Sequence, residues 1–274
     1  MASASVIIAI VFIPIYLILA LFSLALAVRD GFKREAGFLP LLIFSVVRCV
    51  GNILMVYVYY AKSTSSGLYI AAYLLQGLGY SFLVVSGLSL LIRLVSPAHE
   101  SHESHGASGL LGSGFARPVR LLQTASLVGL IVLIVGYTQS PLFDNLSASE
   151  MAGTSSAGGY STEVKAGDVI FIVVTVGFIL LNLVQMFSLG EGKSIKLSCV
   201  LLLASAFMLA SAIYSTITAF SSNPLGVNVW IKLVFLQISQ ALAAFVLLFF
   251  GLIMRRNPPT TSESDKNAPA PYAA

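Results

Sequence analysis

The chain has 274 residues, of which 57% are hydrophobic and only 9% charged, with a formal net charge of +4. A soluble protein of that length carries roughly 25% charged residues, so the composition excludes a soluble domain and points to a membrane protein. The small positive excess speaks to topology and gives no nucleic-acid-binding face, and two cysteines inside apolar runs, Cys49 and Cys199, exclude a disulfide framework.

Seven apolar runs are long enough to cross a hydrocarbon core of about 30 Å as helices. They fall at 5–28, 38–60, 68–91, 119–139, 168–189, 197–220 and 229–254. The expected architecture is an all-α, seven-helix membrane domain over 1–256, followed by a disordered cytosolic tail over 257–274. The first run exceeds the usual h-region of a signal peptide and has no basic stretch before it, so it reads as a retained helix.

The second run carries the chain's most unusual residue. Arg48 stands ten residues into a 23-residue apolar segment, close to the expected bilayer midplane. Such a placement costs between about 2.5 and 17 kcal/mol on different scales and demands a compensating environment. Neither Asp nor Glu lies deep in another run, and Asn52, one turn on, shares a helix face with Arg48. The third run adds Gln76, Tyr80 and Ser81, with Gly77 and Ser81 at the four-residue spacing that lets helices approach closely.

Between the third and fourth runs, residues 96–117 include His99, His102 and His105 in a Ser/Gly-rich tract. The spacing is not that of a zinc-protease helix, and the tract reads as a low-complexity loop. No metal or other cofactor is expected. Residues 141–166 are rich in Ser, Thr, Gly and Ala and hold the one N-glycosylation sequon, Asn145-Leu146-Ser147. This loop, the 96–117 segment and the Pro-rich tail bury too little apolar surface to offset their ordering entropy.

The fifth run begins at Asp168 and places Asn182 and Gln185 on one face; the sixth offers Ala206 and Ala210 as a small-residue pair. The seventh holds Gln237 and Gln240 at i, i+3 spacing. Lys232 lies three residues into it, where snorkelling to the head groups is expected, with Asp168 at the same depth as a potential partner. No carboxylate in the third run is placed to serve Lys232 as the counter-ion of a Schiff base.

Orientation follows from the basic residues. Eleven, among them Arg29, Arg93, Arg120, Lys196 and Arg255, fall on one side, whereas Lys62 and Lys165 fall on the other. The positive-inside rule puts the C-terminus in the cytosol and the N-terminus outside or in the lumen. The Asn145 sequon then lies on the non-cytosolic side, as glycosylation requires.

Four helices thus present carboxamides that can converge on Arg48. The functional reading is a site for a lipid or other amphiphile with an anionic or carbonyl head group, lined by Arg48, Asn52, Gln76, Gln240 and Asn182. A guanidinium binds such groups through its planar fork. The competing reading is interhelical glue, in which the amides bond one another and Arg48 bonds backbone carbonyls. Nothing in the runs supplies paired carboxylates, a nucleophile with its base or a phosphate loop, so no catalytic residue is assigned. Beyond binding or transport, two alternatives stand: a membrane enzyme of secondary metabolism and a seven-helix sensor. Partners beyond membrane lipids are not indicated.

The stretch Arg29-Asp30-Gly31-Phe32-Lys33-Arg34-Glu35-Ala36-Gly37, followed by Ile43-Phe44-Ser45-Val46-Val47-Arg48 and Gly51, resembles a family of fungal integral-membrane proteins described only as a domain of unknown function. The likeness extends more diffusely through all seven runs to about Met254. It implies a fungal source, a seven-helix bundle and Arg48 as the motif arginine; it implies no activity.

Overall fold

Long apolar runs can enter hydrocarbon only as helices, because every backbone N–H and C=O must be satisfied within the segment. The computed structural model describes residues 4–29, 37–61, 66–100, 109–140, 160–188, 192–221 and 229–256. Among these, the chain is all-helical, and seven helices are long and apolar enough to cross a membrane. They are α1 (Ala4–Arg29), α2 (Phe38–Tyr60), α3 (Ser66–Glu100), α4 (Gly109–Thr138), α5 (Thr162–Ser188), α6 (Gly192–Phe220) and α7. The last is assembled from a turn of α-helix at Val229–Lys232, a π-helical stretch at Leu233–Ile238 and an α-helix at Ser239–Arg256. The protein is a multi-pass membrane protein.

Each helix packs on its neighbours in sequence, and α1 meets α7 to close the ring. Helix α3 touches α2, α4, α5, α6 and α7 and is the most enclosed of the seven. The outer faces carry large apolar side chains, with Phe187 79% and Trp230 67% exposed. A soluble protein rarely shows a contiguous apolar surface of that kind; lipid is its natural solvent.

Helix α2 shows how the sequence chooses an inward face. Phe38, Leu41, Phe44, Ser45, Arg48, Gly51, Asn52, Met55 and Val58 are all buried, a run at three- and four-residue intervals. Pro40 sits in the first turn, where its missing N–H deprives no bond. Gly37 precedes the helix with φ +76°, a conformation that only glycine adopts readily, and a Cβ there would meet Leu90 Cγ at 2.9 Å. Its carbonyl accepts a 2.8 Å hydrogen bond from Ser86 Oγ, tying the start of α2 to α3.

Several expectations about element ends need revision. Helix α3 runs on to Glu100 and α4 starts at Gly109, so part of the segment 96–117 is helical. His99 therefore falls in the last turn of α3, while His102 and His105 lie outside the described residues, as do Asn145 and the tail 257–274. Helix α5 begins six residues before Asp168, because Glu163 in its first turn suits a helix N-terminus. Asp168 consequently stands about 9 Å down the helix and is only 5% exposed. A carboxyl group does lie deep in the bundle, contrary to the reading from run lengths. Of the two small-residue pairs, Gly77 does meet a neighbour closely, at Leu133 and Tyr137 of α4. The other pair does not form a buried seam, since Ala206 is exposed.

Candidate functional site

Arg48 projects from the middle of the buried face of α2 and is 0% exposed. Room for its stem comes from α3. A Cβ at Gly79 would lie 3.2 Å from both Arg48 Cγ and Nε, so the absence of a side chain there is what lets the arginine lie flat against α3. Nε, Nη1 and Nη2 of Arg48 find no hydrogen-bond partner among the described residues, nor do Nδ2 and Oδ1 of Asn52 one turn away. Native interiors leave few buried polar atoms in that condition, and each calls for an explanation.

Beside this pair lies a pocket of ≈ 30 Å³. Asn52, Gln76, Lys232 and Gln237 supply its polar wall, and Ile8 and Met55 close it with apolar groups. Two or so water molecules fill such a volume. Lys232 Nζ stands 5.2 Å from the centroid of the Tyr73 ring, within cation–π distance. Arg48 and Lys232 are within Coulombic reach of each other, and Tyr16 and Tyr137 are within reach of Arg48.

The Tyr16 hydroxyl, fully buried on α1, donates toward Gln237 Oε1 at 3.3 Å and toward the Gln237 backbone carbonyl at 3.5 Å. Tyr16 is itself set by edge-on packing against Phe44, with ring centroids 5.8 Å apart. With its carbonyl oxygen engaged, the Gln237 amide has its NH₂ group left for the pocket. The chamber is therefore rich in donors, an ammonium and carboxamides, and Arg48 stands one helical turn from Asn52 outside its lining.

The five residues expected to share a site do not all meet. Arg48, Asn52 and Gln76 come together. Gln240 instead donates from Nε2 to Ser211 Oγ at 2.7 Å, joining α7 to α6, and Asn182 Nδ2 donates to the Ser198 carbonyl at 3.2 Å, joining α5 to α6. These two have the interhelical-glue role, because small polar partners on α6 stand within reach. Asp168 accepts a 3.0 Å hydrogen bond from Ser215 Oγ, and Lys232 turns inward over Tyr73. The expected pairing of Asp168 with Lys232 is replaced by these contacts. Elsewhere, Tyr80 OH sits 2.7 Å from Thr175 Oγ1 and 3.1 Å from the Met208 carbonyl, binding α3 to α5 and α6. Among the described residues no group of three His, Cys, Asp or Glu is disposed to hold a metal ion.

Residues 3–257, the span of all seven helices, match the family described as a domain of unknown function, DUF7702. The chain belongs to this family. No curated protein and no solved structure matches it. The DUF7702 description carries no activity, so the chemistry rests on the residues of the chamber.

Proposed function

We propose that this DUF7702 membrane protein binds or transports a lipid or other amphiphile, whose anionic or carbonyl head group is received by Arg48 with Asn52 and Gln76 beside it. The observation that carries the reading is the Arg48 guanidinium, wholly buried and without a protein acceptor among the described residues. Uncompensated burial of a charge costs several kcal/mol even after relaxation. A structural arginine in a bundle of this kind would be expected to grip backbone carbonyls or a carboxylate. Here the nearby groups are amides, the Tyr16 and Tyr137 hydroxyls and a second cation.

Water in the pocket supplies hydrogen bonds but no opposing charge. An anionic or strongly polar head group supplies both, and the apolar groups around the pocket suit the chain behind it. Charge distribution in the sequence supports placing this end of the bundle on the non-cytosolic side of a secretory-pathway or plasma membrane.

The test is mass spectrometry of amphiphiles retained by protein purified in lipid nanodiscs, wild type beside Arg48→Ala. The expected result is a stoichiometric amphiphile with an anionic or carbonyl head group in the wild type and its loss from the variant. Identical lipid contents in the two preparations would overturn the reading and leave Arg48 a structural residue.

A further inference from the structure

Asp168 is a buried group that the Arg48 site leaves unused. It is the only buried carboxyl among the described residues, 5% exposed, and it stands about 9 Å inside α5. Its hydrogen bond comes from α6, where Ser215 Oγ donates to Oδ1 at 3.0 Å. No basic side chain pairs with it among the described residues. Lys165, one turn outward on the same helix, lies over the Phe220 ring of α6 at 5.6 Å from its centroid, and Lys232 lies over Tyr73. The titratable groups around it are phenols. Tyr80 of α3, Tyr137 of α4 and Tyr160 just ahead of α5 are within Coulombic reach, and Tyr214 of α6 adjoins Ser215 in the chain. Phenols stay uncharged well below about pH 10 and offer a carboxylate no counter-charge.

An isolated carboxylate is too costly to keep in an apolar interior and takes up a neutralising cation. Carboxyls inside membrane bundles accordingly mark ion paths and proton relays. A hard metal ion asks for about six oxygen ligands, and Ser215 supplies one. A proton needs no cavity, so it suits a carboxyl enclosed by packing. That packing is uneven. A Cβ at Gly136 would come within 2.5 Å of Val164 N, and one at Gly167 within 3.2 Å of Leu133 Cβ, so α4 and α5 are pressed together beside the acid. Toward α6, the contacts at this end include two polar links, Asp168 with Ser215 and Lys165 over Phe220.

We infer that Asp168 is a proton-exchange site, loaded and emptied through the end of the bundle where α5 begins, with Lys165 as the cation that takes over when the proton leaves. Lys165 and Asp168 are at i, i+3 spacing, close enough on one helix to pair. The step is proton transfer alone. The Asp168 carboxyl gives H⁺ to water at that end, and the carboxylate left behind draws the Lys165 ammonium off Phe220. A contact between α5 and α6 is thereby exchanged for one within α5, while α5 stays fixed on α4. A pH difference across the membrane thus acts on the packing of α6. Helices α1, α3, α5 and α7 all begin at one end, so Asp168 lies toward the same end as the chamber. The site does not depend on the amphiphile reading, to which it adds a proton as a second ligand.

The test is infrared difference spectroscopy on the full chain in nanodiscs of ether-linked phosphatidylcholine, a lipid that adds no carbonyl band. The pH is stepped from about 5 to about 9, a range in which exposed carboxyls are already ionised. The variants are Asp168→Asn, Lys165→Gln, Lys165→Arg and Arg48→Ala. The wild type should show a protonated-carboxyl C=O band that falls reversibly as the pH rises, and Asp168→Asn should lack it. Lys165→Gln should hold the band to a pH higher by about one unit or more, because the carboxylate loses its cation; Lys165→Arg should restore the wild-type titration. A band that does not move with pH, or no band that Asp168→Asn removes, overturns the inference. So does a titration unchanged in Lys165→Gln. Arg48→Ala keeps the two questions apart: its titration should match the wild type whether or not the amphiphile reading holds.

Discussion

Arg48 and Gly79 form a pair that neither residue explains alone. The arginine needs a flat surface for its aliphatic stem, and the glycine provides one at 3.2 Å from where a Cβ would be. Packing of this tightness couples the two positions energetically. Gly79→Ala is therefore expected to destabilise the wild-type background by about 1–3 kcal/mol through overpacking. In an Arg48→Ala background the same change should cost much less. Unfolding of the two single variants and the double variant measures the coupling; simple additivity would mean that the stem does not rest on Gly79. At this scale the sequence was informative where the signal is local. Arg48 and Asn52 share a face by spacing alone, and Gln76 is flagged by being polar inside an apolar run. Gly79 was not singled out, because the demand for a bare backbone comes from an arginine on another helix.

Helix α7 shows why the other half of the chamber escaped a reading by period. Lys232 and Gln237 are five residues apart, and in a regular α-helix that spacing rotates one about 140° from the other. The π-helical stretch Leu233–Ile238 widens the turn, so both side chains line the same pocket. Such stretches are rare and often accompany functional sites. Straight α-helical geometry instead pairs Gln237 with Gln240, and it is Gln240 that turns away to Ser211. The depth of Asp168 was misjudged for a different reason. Hydropathy ends the fifth run at the first charge, whereas the helix continues outward through Gly167, Lys165 and Glu163. Deleting Leu236 should restore α-helical hydrogen bonding across the stretch and swing Lys232 away from Gln237. The expected outcome is unchanged helical content by circular dichroism, with loss of the amphiphile retained by the wild type. Retention of that ligand would show that the π-helical geometry is incidental to the chamber.

For the whole molecule, the number of helices was legible because a hydrocarbon solvent forces long apolar runs into helices. How they pack was not, since in lipid the outer and inner faces are equally apolar and only small and polar residues mark the seams. The chamber lies where the N-terminal thirds of α1, α3 and α7 meet the C-terminal half of α2, through Ile8, Gln76, Lys232 and Met55. Which side of the membrane that end faces decides where a head group comes from. Eleven basic residues lie on the opposite side in the sequence reading and two on this one, which favours the chamber facing away from the cytosol. A C-terminal epitope tag should then resist protease added to intact cells and become accessible on permeabilisation. An endoglycosidase-sensitive mobility shift should vanish in Asn145→Gln, a position outside the described residues. Tag cleavage on intact cells, without a glycosidase shift, would reverse the orientation. The chamber would then draw on head groups from the cytosolic leaflet instead of from the lumenal or outer one.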